Sequence, residues 1–118
     1  MKCFDPKIVR TIELEKKKYV MNDRFYLVHF HDWDPRIQDW LADREGLSLT
    51  GEHLHILRFL RTAFSRSQKH PTIRMVTGDL SKLFGSAKGT VKYFHTLFPG
   101  GIHQAFLVAG LPMQDSCC

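Results

Sequence analysis

The sequence predicts an α+β fold, mainly α, in which an N-terminal β-meander of two or three short strands packs on a five-helix array with a mobile C-terminal arm. Three observations predict it. From about Ile8 to Phe30 the chain has β character, whereas apolar residues from Asp34 onward recur at helical spacing between capping residues and glycines. The last eight residues, Leu111 to Cys118, have no apolar period and end in two adjacent cysteines. At 118 residues the chain is expected to form a single domain, 1–118, divided into a β part (1–33), a helical part (34–110) and a flexible arm (111–118).

In the β part, Thr11-Ile12-Glu13-Leu14-Glu15 alternates polar and apolar residues. Tyr19-Val20-Met21 and Phe25-Tyr26-Leu27-Val28 are two further β-prone runs, with Asn22-Asp23-Arg24 as the turn between them. Such short strands do not stand alone and are expected to pack on the helical part.

Asp34-Pro35 is a cap followed by a first-turn proline, and Gly46 is a natural stop. Between them Ile37, Trp40 and Leu41 share a face. Thr50 caps a longer second helix with Leu54, Leu57, Leu60, Arg61 and Phe64 on one side, and Ile56 and Phe59 widen that stripe. Pro71 opens a third helix carrying Ile73, Val76, Leu80, Leu83 and Phe84, ended by Gly85. A fourth runs from about Lys88 to Leu97 with Val91, Phe94 and Leu97 inward. After the break at Phe98-Pro99-Gly100-Gly101, a short fifth helix from about Ile102 to Ala109 is closed by Gly110, and Pro112 blocks its continuation.

An apolar fraction of 43% and a charged fraction of 25% are ordinary for a soluble globular protein. No apolar run approaches the roughly 18 residues that span a bilayer, and the N-terminus lacks the apolar segment of a secretory signal. A cytoplasmic location, with no membrane partner, is therefore expected. The net charge of +5 favours an acidic partner, but the excess is spread and Lys16-Lys17-Lys18 is its only run, as expected of a solvated strand or turn. Three cysteines make an odd count, with no CxxC spacing and dispersed histidines, so neither a disulfide framework nor a metal or other cofactor is expected.

The remaining candidates divide unequally. His29 and His31 would share a strand face, while His53 and His55 point differently on a helix; no HExxH motif, nucleophile elbow or phosphate loop is present. The histidines are read as surface, capping or packing residues, Trp33 and Trp40 as core, Gly100-Gly101 as a tight turn rather than an anion site, and Asp79 as isolated. Residues 50–67 and 71–84 have the outline of a helix-turn-helix lined by Arg58, Arg61, Arg66, Lys69, Arg74 and Lys82, which supports DNA binding as a minority alternative. Cys117 and Cys118 are the residues whose placement favours chemistry, because a thiol on a free arm can be offered to another protein.

The run Phe98-Pro99-Gly100-Gly101, then Gln104-Ala105, Ala109-Gly110-Leu111-Pro112 and a penultimate Cys117 resembles the C-terminal signature of the DsrC/TusE family. Upstream, Asp32-Trp33, Leu47-Ser48-Leu49-Thr50, Glu52-His53, Phe59-Leu60-Arg61, Pro71 with Ile73-Arg74, and Lys88-Gly89 fall where family members carry similar residues. The resemblance runs from about Thr11 to Cys118. It implies a sulfur carrier that accepts sulfane sulfur on Cys117 as a persulfide and passes it within a cytoplasmic relay of donor and acceptor proteins. Such a protein is a sulfurtransferase-type carrier rather than an independent catalyst. The family spans the gamma protein of dissimilatory sulfite reductase and the sulfur-relay protein of tRNA thiolation.

Members of the sulfite-reductase branch carry a second cysteine directly after the Gln-Ala pair, where this chain has Phe106. The single-cysteine pattern resembles the tRNA-thiolation branch or a paralogue, and it weakens the implied association with a sulfite-reductase-like complex. The arm reads Leu111-Pro112-Met113-Gln114 where the family usually has Leu-Pro-Lys-Pro. Cys118 matches nothing in the family and is read as an auxiliary thiol able to close a strained vicinal disulfide with Cys117. The alternative function is a non-enzymatic regulator that binds DNA through the helix pair or docks on a sulfur-metabolism complex.

Overall fold

A computed structural model describes residues 9–114. Strands β1 (Val9–Leu14) and β2 (Lys17–Asn22) form an antiparallel hairpin in which Leu14 pairs with Lys17. The two loop residues, Glu15 and Lys16, have φ of 48° and 71°, the left-handed pair whose twist matches that of the strands. The lysine run thus begins in a turn. Its middle member Lys17 is tied to Asp34 at 2.9 Å. One face of β2 buries Tyr19 and Met21 against the helices.

The third β-prone run does not become a strand. The Asn22 side-chain oxygen accepts hydrogen bonds from the backbone N–H groups of Arg24 (2.9 Å) and Tyr26 (3.0 Å), and Phe25 sits at φ 68°. That tight reversal leaves a single bridge between Met21 and Leu27, so among the described residues the sheet has two strands. His29 and His31 accordingly do not alternate along a strand; a 3-10 turn, Phe30–Asp32, occupies this stretch.

Five α-helices follow among the described residues. Helix α1 (Pro35–Arg44) is capped by Asp34, whose carboxylate accepts from Ile37 N at 3.1 Å, and it ends at Gly46. Helix α2 (Gly51–Ser67) starts with a reciprocal cap between Thr50 and His53. Helix α3 (Ile73–Phe84) begins two residues after Pro71, because Thr72 is the cap. Helix α4 (Val91–Leu97) starts later than Lys88, again because a threonine, Thr90, provides the cap. Residues 85–89 form turns, with Gly89 so close to α3 that a Cβ there would lie 2.4 Å from Ser81 Cβ. Helix α5 (Ile102–Ala109) runs from Gly101 to Gly110 as the glycine spacing predicts.

Helix α5 is the centre of the fold. Ala105 through Ala109 are all buried, and the helix packs on α1 and α2. Some expected core positions face outward instead. Leu54, Leu83, Phe84 and Val91 are exposed; Val76 and Leu80 are buried, so the last turn of α3 projects past the packed face.

Candidate functional site

Cys117 and Cys118, like Cys3, lie outside the described residues, and of the arm expected at 111–118 only 111–114 are described. What is described is the root of the arm, up to Gln114. Gly110 closes α5 at φ 75°, and its N–H and that of Leu111 return to the carbonyls of Leu107 (3.1 Å) and Phe106 (3.0 Å). Both bonds satisfy carbonyls that a helix end leaves open.

Two side chains satisfy the next carbonyls. Trp33 Nε1 donates to Val108 O at 3.1 Å, and Arg61 donates to Ala109 O at 2.8 Å. Arg61 also donates to Phe30 O at 3.0 Å, and its guanidinium lies over the rings of Phe30 (3.9 Å) and Trp33 (4.3 Å). Burial lowers the Arg61 pKa to about 10, which leaves it charged at neutral pH. A cation at the carbonyl end of a helix is also favoured by the helix dipole. Gly110 is required there for space as well as conformation, since a Cβ would lie 2.3 Å from Trp33 Cδ1.

Beyond Gly110 the chain stays attached. Leu111 and Met113 are buried, His70 Nε2 donates to Pro112 O at 2.6 Å, and the Asn22 amide approaches the Met113 sulfur at 3.7 Å. A carbonyl oxygen only accepts, so Nε2 carries the His70 proton. Burial lowers the His70 pKa from its ordinary value and nearby His103 lowers it further, against the opposing effect of the Pro112 bond. The rings of Phe64 and Phe106 meet His70 edge-on at 5.2 and 5.0 Å. Phe106, at the position of the resemblance's second cysteine, is thus a buried packing residue.

The other sequence candidates separate clearly. His53 is a capping residue: its Nδ1 accepts from Thr50 N at 3.1 Å and its Nε2 donates to Leu97 O at 2.7 Å. Asp79 is not isolated; its carboxylate pairs with His55 between α3 and α2. The N–H of Gly100 donates to Gln104 Oε1 (2.9 Å) and that of Gly101 to Phe98 O (2.8 Å), so these groups serve the turn and not an anion. Arg61 is turned inward, which removes it from any DNA-facing set on the helix pair. The contacts of His70 with Pro112 and of Asn22 with Met113 join residues 42 and 91 positions apart and have no local sequence signal.

A family model described as DsrC-like protein matches residues 13–118. The sulfurtransferase TusE of Yersinia pestis is 33% identical over 107 residues, covering 90% of this chain and 98% of that protein. The TusE of Escherichia coli is 34% identical over 104 residues, covering 87% and 95%. The solution structure of Allochromatium vinosum DsrC superposes with a TM-score of 0.82 at 37% identity, covering 94% of this chain and all of that one. The oxidized gamma-subunit of the dissimilatory sulfite reductase of Archaeoglobus fulgidus gives 0.83 at 28%, covering 92% and all of that chain. Among the described residues no helix is long and apolar enough to cross a membrane. The clamp on the arm root is therefore part of a fold shared along nearly the whole chain, and the protein belongs to the DsrC-like family.

Proposed function

We propose that this protein is a cytoplasmic sulfur carrier that accepts sulfane sulfur on Cys117 and delivers it to a partner protein. One observation carries the reading: the family match extends to residue 118 and so takes in the penultimate Cys117, in a family whose relatives include proteins named sulfurtransferase. The anchored root supports it. Met113 is held on the body, and Cys117 follows it by four residue steps, a span of at most about 14 Å.

In the loading step the Cys117 thiolate attacks the terminal sulfur of a donor persulfide, R–S–SH. An S–S bond forms to Cys117, the donor S–S bond breaks, and the donor leaves as a thiolate. Delivery repeats the exchange with an acceptor thiolate, so no external oxidant or reductant is needed. Cys118 serves as an auxiliary thiol: its attack on the Cys117 sulfur of the persulfide would release hydrosulfide and close a vicinal disulfide. Phe106 carries no sulfur, so a disulfide between the arm and the body cannot form at that position. This favours a one-thiol relay over the chemistry of a two-cysteine cosubstrate.

Incubation with a cysteine desulfurase and cysteine should add about 32 Da per sulfur to the intact mass, reversibly with a thiol reductant. Cys117→Ala should abolish the addition and Cys118→Ala should retain it. Loading that survives Cys117→Ala, or that no donor produces, would sink the proposal.

A further inference from the structure

Two clefts share a wall on the outer side of α2. One, of about 500 Å³, has an apolar floor of Trp33, Pro35 and Leu54 with Arg58 at its rim. The other, of about 350 Å³, is bordered by His31, Ser65 and Arg66, and Arg61 and Thr62 line both. Among the described residues no carboxylate lines either cleft. The exposed guanidinium groups of Arg58 and Arg66 have no hydrogen-bond or ion-pair partner among the described residues. Elsewhere Lys17, Arg36 and Lys88 are each paired with an acid.

Arg58, Thr62 and Arg66 succeed one another at four-residue steps with Ser65 beside them, so they share a face, and the two arginines lie about 12 Å apart along the helix. We propose that this double cleft docks an acidic segment of a partner protein. Apolar side chains of that segment rest on Leu54 and Pro35, and its carboxylates meet Arg58 and Arg66. The mode is that of an amphipathic segment in a groove.

A single-stranded nucleic acid fits the surface less well. Bases bind such proteins by stacking on open aromatic faces. Here the Arg61 guanidinium already covers Phe30 and Trp33, and Gly110 packs against Trp33. The cleft also lies at the base of the arm, because Arg61 and Trp33 hold the last carbonyls of α5. From Gly110, which packs on Trp33 beside the cleft, to Cys117 is seven residue steps, a reach of at most about 25 Å. That the partner is a sulfur donor or acceptor rests on the carrier reading; the binding itself does not require Cys117.

The test is fluorescence anisotropy on the full chain, with a labelled amphipathic Glu/Leu peptide helix, its Gln/Leu analogue and an oligouridylate. Saturable binding of the acidic peptide alone, weakened by added salt and about tenfold by R58E/R66E, would support the proposal. R74E/K82E reverses two charges on α3 and serves as the control. R58Q/R66Q, checked for an unchanged melting curve, covers the case in which charge reversal disturbs folding. The proposal is overturned if the acidic peptide does not saturate, if R74E/K82E weakens it as much, or if oligouridylate binds more tightly with the same arginine dependence. Cys117→Ala should keep peptide binding while losing sulfur loading. Intact arginine-dependent binding in a protein that never loads would refute the carrier reading and leave the docking surface standing.

Discussion

Gly110→Ala tests whether the arm root is a packed joint or simply a helix end. Gly110 and Gly46 close their helices at nearly the same φ, 75° and 74°. Alanine in that left-handed conformation costs about 1 kcal/mol at either site. At Gly46 a Cβ meets nothing within 4 Å, so the cost stops there. At Gly110 it would lie 2.3 Å from Trp33 Cδ1 and 2.9 Å from Cγ, so Trp33 must move. Overpacking of this kind adds about 1–3 kcal/mol, and loss of the Trp33 to Val108 hydrogen bond adds about 1. Gly110→Ala should therefore cost about 3–5 kcal/mol and Gly46→Ala about 1. For a domain of this size that is a fall in Tm of about 12–20 °C against about 4 °C. Urea unfolding of both variants measures the difference, and a Trp33→Ala background should reduce the Gly110→Ala cost to the backbone contribution. Equal losses at the two glycines would refute the joint.

Three further outcomes rest on local surroundings. Asp34 is raised by burial but lowered more by bonds from Tyr19, Lys17 and Ile37 N, so its pKa falls from 3.8 to about 2; its stabilisation, about 2 kcal/mol, is present above pH 3.8 and lost as pH falls through 2, and Asp34→Asn should flatten that part of the urea-midpoint curve. His70 has a lowered pKa because it is buried, so the stability of its neutral form is complete above 6.5 and lost as pH falls below it; His70→Gln, which keeps a donor for Pro112, should flatten the decline in urea midpoint between pH 7 and 5. Gly89→Ala would place a Cβ 2.8 Å from Ser81 Cα and should lower the melting temperature, whereas Gly78→Ala, within α3 and with nothing within 4 Å, should raise stability by about 0.5–1 kcal/mol in the same melts.

Helix starts were legible where a short polar residue meets an apolar period. Asp34 and Thr50 cap as the sequence indicates, and Gly110 ends α5 where expected. The misplaced starts of α3 and α4 have one cause: Thr72 and Thr90 take the capping role that Pro71 and Lys88 do not. Two strands fall within the expected two or three, and the sequence did not show which number holds, because the reversal depends on the Asn22 side chain bonding its own neighbours and on Phe25 accepting a left-handed φ. For the site, the resemblance picked out Trp33, Arg61 and Gly110 as separate motif members, and their meeting at one helix end is a tertiary fact. The outward turn of Leu54 and Leu83 defeats periodicity for a different reason: a stripe marks a face and does not say where along it the packing stops.

The body position that would carry a second thiol has become part of the arm's anchor. Phe106 is almost fully buried, meets His70 at 5.0 Å and His103 at 5.7 Å, and gives its carbonyl to Leu111 N. His70 in turn holds Pro112. A cysteine at this position would remove most of a ring from a packed site, at a cost of the order of 3–5 kcal/mol for a truncated core phenylalanine, and would withdraw the surface on which His70 rests. A disulfide between arm and body at this position is therefore separated from this chain by more than one missing sulfur. A sulfur in place of the ring would loosen the root of the arm, whereas the ring keeps His70, and through it Pro112, packed on the body.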